Sequence, residues 1–411
     1  MEKSLRPGYH FSPPTGWLND PNGLIFYRGQ YHLFYQFNPR APVWGPMHWG
    51  HAASDDLFHW KYLPIALNPE KTGHHNDMSG MFSGSAVQVG EKLFLLYTQR
   101  FDPVFFPQRF KEQQCVAFSD DGIHFQAHPE NPVIPTPPRE GFHDFRDPKA
   151  WKTPRGTYRC VVGSGENQVG KILLYESEDF GEWKYRGVLF AADPSQFGPV
   201  LECPDFFPLG DLWVLFFSAG FLTEGQRKNY YVLGHFEKDA FQPLQVEELD
   251  LARDLYASQT FSGTGSRRIA MGWLHNPERP SFTASEGWRG ILSLPRELTL
   301  HANQLLQHPV SEIRTLMLPW DFSSGKAQEA KGVDISSLEN RFALSWEPPA
   351  PGFQMLFTGE ENRFSVEASD NYLELSEFRD GSLEFHDRFA LEEPIRTLEL
   401  FLDRTVAEFF F

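Results

Sequence analysis

Short apolar runs, separated by polar turns rich in glycine and proline, set the pattern of this chain. Five of them recur: YHLFYQF at residues 31–37, KLFLLYT at 92–98, TYRCVVGS at 157–164, LWVLFFS at 212–218 and RRIAMGW at 267–273. Their starts lie about 55–65 residues apart, near the long end of the repeat lengths of propeller blades. A second signature follows three of the runs: Ser54-Asp55-Asp56 ahead of Trp60, Ser119-Asp120-Asp121 ahead of Phe125, and Ser177-Glu178-Asp179 ahead of Trp183. An acidic turn followed by an aromatic is what a hairpin inside a repeated unit would carry. Apolar positions at helical spacing are nearly absent, while 33 Gly and 32 Pro punctuate the sequence, so strands and turns are predicted throughout.

Five such units predict an all-β chain with a five-bladed β-propeller over residues 1–305. The competing arrangement is the same strands packed as a sandwich. After about Leu300 the texture changes. Residues 306–320 read as a linker, helical around Val310–Leu316, and alternating strands follow at Arg341–Trp346, Phe364–Ala368, Tyr372–Leu375 and Leu398–Leu402. Residues 321–411 are thus expected to form a C-terminal β-sandwich, shortened. In a propeller the loops of every blade meet at the mouth of a central channel, where residues distant in sequence can converge.

Charge narrows the partners. Lys and Arg number 37 against 54 Asp and Glu, a net charge of −17, which argues against nucleic acid and anionic membranes and favours a neutral or cationic ligand. A single phosphate met by a local arginine stays compatible. With 39 Phe and 11 Trp, some aromatic surface is available to line a cleft beyond the core. Cys115, Cys160 and Cys203 are too few for a disulfide framework and lack metal-ligand spacing. His48, His51, His74 and His75 likewise show no ligand spacing, so neither a metal nor a cofactor is expected, and structural or rim roles are. The N-terminus has no signal-peptide stretch and no segment nears the ~18 apolar residues of a membrane span, so a cytoplasmic location is expected.

Three carboxylates stand out. Asp20 lies in Asn19-Asp20-Pro21-Asn22-Gly23, residues that each favour turns, with Trp17 close by. It reads either as an Asx-type turn bonding its own backbone or as a group in use, since a charge among aromatics is costly. Asp147 is flanked by Arg146 and Lys149, which should keep it ionised; such a turn also occurs as a surface ion pair. Glu202 sits between Val200-Leu201 and Cys203-Pro204, either as a strand end or in the half-buried setting that suits a general acid. The three fall in the first, third and fourth units. Taken together they suggest glycoside chemistry, in which a retaining enzyme needs a carboxylate nucleophile and an acid/base roughly 5–5.5 Å apart.

The motifs Trp17-Leu18-Asn19-Asp20-Pro21-Asn22-Gly23, Phe82-Ser83-Gly84-Ser85, Phe145-Arg146-Asp147-Pro148 and Glu202-Cys203-Pro204 occur in the order seen in glycoside hydrolase family 32, the β-fructofuranosidases. Further matches are Gln36, Trp44, Trp49-Gly50-His51, Tyr256-Ala257-Ser258-Gln259-Thr260-Phe261, Met271-Gly272-Trp273 and Gly287-Trp288-Arg289-Gly290. The chain resembles that family densely over residues 8–300 and thinly beyond. The resemblance implies hydrolysis of sucrose or a related short fructoside, with Asp20 as nucleophile, Glu202 as acid/base and Asp147 holding ring hydroxyls. It places Trp17, Leu18, Asn19, Gln36, Trp44, Phe82, Ser83, Arg146, Cys203, Tyr256 and Trp273 around the fructose; Trp44 and Trp273 read equally as core. Cys203 reads as a packing neighbour and not a nucleophile, since no histidine is linked to it. Other readings stay open: an exo-acting fructanase, a fructosyltransferase, an inverting arabinan-type hydrolase, or a propeller that binds fructan without catalysis.

The last residues, Asp403 to Phe411, resemble the family's sandwich strand with a Val-Glu-x-Phe pattern, and relatives usually continue further. An apolar sheet edge left there would need cover. A homo-oligomer through that edge is expected; the alternative is a tail that packs back on the propeller.

Overall fold

A computed structural model describes residues 4–69, 79–141, 144–220, 227–252, 254–274, 283–316, 341–346, 352–358, 362–379, 381–391 and 394–411. The chain divides into two compact units, Met1–Ile313 and Arg314–Phe411. Strands dominate both; among the described residues, helix is confined to α1 (Pro194–Phe197) and two 3₁₀ turns, Thr283–Glu286 and Ser311–Leu316. No helix there is long and apolar enough to cross a membrane.

Five largely antiparallel sheets follow one another along the first unit. The first holds β1 (Gly16–Tyr27), β2 (Gln30–Asn38), β3 (His48–Ser54) and β4 (Lys61–Leu67). The second holds β5 (Gly80–Val89), β6 (Lys92–Arg100), β7 (Glu112–Ser119) and β8 (Gln126–Ala127). The third holds β9 (Arg146–Lys152), β10 (Tyr158–Glu166), β11 (Val169–Ser177) and β12 (Lys184–Ala191). The fourth holds β13 (Leu201–Leu209), β14 (Leu212–Ala219), β15 (Lys228–Glu237) and β16 (Ala240–Glu248). The fifth holds β17 (Leu255–Thr260), β18 (Ile269–Leu274), β20 (Ile291–Leu292), β21 (Arg296–His301) and β22 (Gln304–Pro309), while the short β19 (Trp288–Arg289) pairs in parallel with β1. Residues 306–309, the start of the expected linker, therefore belong to β22.

The apolar runs of the sequence fall on the second strands, β2, β6, β10, β14 and β18. These strands are apolar at consecutive positions because both of their faces are buried. Leu95 and Tyr97 of β6 pack toward the first sheet with Phe34 and Trp49, whereas Leu96 packs toward the third with Cys160 and Val162. Val161 of β10 turns the other way, to Phe206, Leu215 and Phe217. Phe216 of β14 joins Leu255 and Leu298 of the fifth sheet. One apolar core thus fills each space between successive sheets.

The acidic turns follow the third strands. Asp56 accepts the backbone N–H of Phe58 (3.0 Å) and His59 (2.8 Å), Asp121 those of Ile123 and His124 (both 2.8 Å), and Asp179 those of Gly181 (2.9 Å) and Glu182 (3.1 Å). Each carboxylate folds the chain back, and Phe125 and Trp183 then pack into the neighbouring core.

The first strand of each sheet packs on the first strand of the next: β1 on β5, β5 on β9, β9 on β13, β13 on β17, and β17 back on β1. Parallel pairing of Gly16 with Trp288 and of Ile25 with Ser262 ties the last sheet to the first.

The second unit holds β23 (Arg341–Trp346), β24 (Phe353–Thr358), β25 (Asn362–Ala368), β26 (Tyr372–Arg379), β27 (Ser382–Ala390), β28 (Leu398–Asp403) and β29 (Val406–Phe410). They form two sheets, β23-β28-β29 and β24-β25-β26-β27. Val366, Leu373 and Leu398 are its buried centre, and Phe409 stacks on Phe364 with ring centroids 6.0 Å apart.

Candidate active site

All five first strands slip register, β1 at two places and the others at one. The slips take in Asp20 in β1, Ser83 in β5, Asp147 in β9, Cys203 in β13 and Ala257 in β17. A bulge bends its strand and re-aims a side chain, and bulges gather at active sites. Asp147, Cys203 and Ala257 adopt positive φ (63°, 48° and 54°), a strained conformation for residues other than glycine. Pro21, Pro148 and Pro204 are tolerated in strands because they stand at these irregularities. Asn19-Asp20-Pro21-Asn22, which reads as a turn in the sequence, is thus the bulged part of a 12-residue strand.

The bulges bring the three carboxylates together. Asp20 accepts from Ser83 Oγ (2.7 Å) and Cys203 Sγ (3.5 Å) at one oxygen, and from Asn19 Nδ2 (3.1 Å) at the other. Trp17 Nε1 donates to Asn19 Oδ1 (2.8 Å) and so fixes that amide. Burial raises the Asp20 pKa; the donors from Ser83 and Asn19 oppose it, and the Glu202 charge adds to it.

Asp147 Oδ2 accepts the backbone N–H of Cys203 (2.9 Å) and lies 3.5 Å from its Sγ, whose single hydrogen it shares with Asp20. Burial pushes its pKa up to about 7, against the pull of Arg146 and helped by Asp20 and Glu202. The expectation that flanking cations hold Asp147 ionised is corrected here. Lys149 turns to Asp205 (2.9 Å) and Thr260 O (2.6 Å), and the desolvation of Asp147 outweighs the charge of Arg146.

The linkage has a definite sign. A carboxyl with a pKa of 3.8 unfolded and about 7 folded binds its proton more tightly in the native state, so its contribution to stability is lost as pH rises from about 4 to 7. Asp147→Asn does not titrate. Its melting temperature relative to the parent protein should therefore climb between pH 4 and 7 and level off above. Thermal melts across that range check this; a gap independent of pH would contradict it.

Glu202 accepts from Arg146 Nη2 (3.0 Å) and from Tyr256 OH (2.5 Å). Arg146 is also held by Asp144 (2.6 Å) and Glu112 (3.3 Å). A lone guanidinium buried this deeply would cost several kcal/mol, and these acids offset that. Gly220 leaves room for the pair: a Cβ there would stand 2.2 Å from Glu202 Oε2 and 2.5 Å from Tyr256 OH. Burial, then the nearby carboxylates, drive the Cys203 thiol pKa well up, so it stays a protonated donor and no thiolate nucleophile forms.

Around these groups, Trp17 and Trp273 meet edge to face at 5.8 Å, and the Arg289 guanidinium lies 5.0 Å from the Trp17 ring. Trp44 is 42% exposed and meets Phe82 edge-on at 6.2 Å. Gln36 donates to Met81 O (2.9 Å), next to Phe82. Leu18 is fully buried. His51 pairs with His32 (3.0 Å) and stacks on Phe34 in the core, and His48 contacts Pro46 O (3.0 Å); His74 and His75 lie outside the described residues. Glu112, Asp144 and Gly220 were not found from the sequence. Only Glu112, a charge at the head of an apolar strand, left a trace there.

Residues 10–309 match the family described as "Glycosyl hydrolases family 32 N-terminal domain". The chain is 40% identical to a sucrose-6-phosphate hydrolase of Escherichia coli, covering 85% of this chain and 72% of that protein. It is 38% identical to a raffinose invertase, also of Escherichia coli, over 75% of this chain and 66% of that one. A variant of the Bombyx mori GH32 β-fructofuranosidase, solved with sucrose, superposes with a TM-score of 0.78 at 31% identity, covering 98% of this chain and 86% of that one. With the family match spanning most of the first unit and three carboxylates gathered on its bulged strands, the chain belongs to glycoside hydrolase family 32 and is a glycoside hydrolase.

Proposed function

We propose that the chain is a retaining β-fructofuranosidase acting on sucrose or a short relative such as sucrose-6-phosphate. In this reading the five sheets are the blades of one propeller, with the bulges at the mouth of its channel and the second unit a β-sandwich. The observation that carries the mechanism is the different environment of each carboxylate. Asp20 faces only neutral donors, Ser83, Asn19 and Cys203, and is free of direct ion pairing among the described residues. Glu202 is aimed by Arg146 and Tyr256.

Asp20 attacks the anomeric carbon of the fructosyl unit, and the glycosidic bond breaks as Glu202 gives its proton to the leaving oxygen. Glucose, or its 6-phosphate, departs. Glu202, now a carboxylate, takes a proton from water, which displaces Asp20 and releases fructose with its configuration kept. Asp147 accepts hydrogen bonds from ring hydroxyls, and Arg146 supports the negative charge that Glu202 takes on as it gives up its proton. Trp17, Trp44, Phe82 and Trp273 offer apolar faces to the sugars. The named substrates of the similar proteins, sucrose-6-phosphate, raffinose and sucrose, share a terminal fructosyl unit on a small leaving group.

Hydrolysis in aqueous methanol tests this. With sucrose, the methyl fructoside formed should be the β-anomer by NMR. The α-anomer, or faster release of fructose from inulin than from sucrose, would overturn the reading.

A further inference from the structure

The five first strands belong to five separate sheets, so no ladder of backbone hydrogen bonds fixes the distance from one to the next. Side chains must set the spacing of Asp147 on β9 and Glu202 on β13. At the site itself the Cys203 N–H bonds Asp147 and Arg146 pairs with Glu202, and a second layer lies behind them. Two residues beyond each bulge residue stands a buried polar side chain: Asn22, Ser85, Lys149, Asp205 and Gln259, all at most 5% exposed.

Their bonds cross from sheet to sheet. Ser85 Oγ on β5 donates to Pro148 O and accepts the N–H of Ala150 on β9 (both 2.9 Å). Lys149 Nζ on β9 reaches Asp205 Oδ2 on β13 (2.9 Å), and Thr260 O (2.6 Å) and Gln259 Oε1 (3.2 Å) on β17. Asp205 Oδ2 also accepts the N–H of Thr260 (2.6 Å). Gln259 Nε2 closes the circuit by donating to the carbonyls of Cys203 and Pro204 (both 3.3 Å), the backbone of the bulge that follows Glu202.

We propose that Lys149 is a positioning residue: its buried contacts with Asp205 and Thr260 lock β9, β13 and β17 at the spacing that sets Asp147 against Glu202. The proposal rests on the roles given to those two carboxylates above. Energetics favour this purpose over stability alone. A buried ion pair is often matched or bettered in stability by apolar groups of the same shape, so its retention needs a reason in geometry. Catalytic rate is sensitive to that geometry, since a 1 Å misplacement can cost about 10²-fold. Lys149 touches none of the three site carboxylates, so substrate binding should survive its loss.

The test compares the full chain with Lys149→Met, Asp205→Asn and the double variant, which removes both charges yet keeps an acceptor for the Thr260 N–H. The single variants should melt lower. The double variant should recover melting temperature while kcat on sucrose stays down by about 30- to 100-fold, with KM within about threefold. Gln259→Leu, which removes only a neutral amide, should give the same split and serves if the charge variants do not fold. Wild-type kcat in the folded double variant or in Gln259→Leu would overturn the proposal. So would a loss of activity that merely follows melting temperature across the set. Failure of the unmodified chain to cleave sucrose in the same assay would instead strike at the proposed function.

Discussion

Asp20→Asn should lower kcat on sucrose by about 10⁴-fold or more while the protein stays folded. The scale is that of losing a covalent nucleophile, where the remaining positioning and acid groups can no longer act as a unit. Stability should move the other way. Asp20 is a desolvated carboxyl held by Ser83, Asn19 and Cys203, none of them a cation. Asparagine keeps the shape and an acceptor for Ser83 but loses the acceptor that Asn19 Nδ2 uses. A buried charge costs more than that one bond, so the melting temperature should hold or rise, the usual exchange of stability for function at a site. Glucose release, circular dichroism and a thermal melt check both halves. Activity above about 1% of the parent's would take the nucleophile role from Asp20, since water could not replace it at that rate. A collapse in melting temperature would show that Asp20 instead holds the bulge of β1 together.

What the sequence revealed follows from burial. The second strands were visible as apolar runs because their alternate residues enter two different cores, as Leu95 and Leu96 do. Outer strands such as β16 (AFQPLQVEE), half in solvent and without regular alternation, left little trace. The first strands were misleading for a physical reason. A bulge needs residues that tolerate broken pairing and unusual φ, and Asn19-Asp20-Pro21-Asn22 satisfies that with the same residues that make a turn. The three carboxylates stood out by their local settings and their places in the repeated units, and the order of their motifs then implied a role for each.

Charge was read least well, because sequence neighbours are not spatial neighbours. Lys149 stands two residues from Asp147, yet its ammonium belongs to Asp205 and Thr260. Arg146 draws on Glu112 and Asp144 as well as on Glu202, and Glu112 reaches it only through the pairing of β6 with β7 and the contact of β6 and β7 with β9. Gly220 carried no signal at all. The need for glycine there arises from Glu202 and Tyr256, which come from other strands.

Glu202→Gln should separate the two halves of the reaction. Glutamine keeps the outline of the side chain and its acceptor for Arg146 Nη2, while the proton for the leaving oxygen is gone. Glucose is a poor leaving group without that proton, so kcat on sucrose should fall by about 10²–10⁴-fold, the usual range for a general acid. A p-nitrophenyl β-fructofuranoside leaves readily on its own, and its first step should be far less affected. The fructosyl group should then accumulate on Asp20, because the proposed mechanism also makes Glu202 the base that activates water in the second step. A rapid-mixing experiment should show a burst of nitrophenol followed by slow turnover, and azide, a nucleophile that needs no base, should speed that slow phase. The burst amplitude would count occupied Asp20 directly and should vanish in Asp20→Asn. Equal slowing of sucrose and the activated substrate, with no burst and no response to azide, would remove Glu202 from the acid role and leave it as a group that only positions Arg146 and Tyr256.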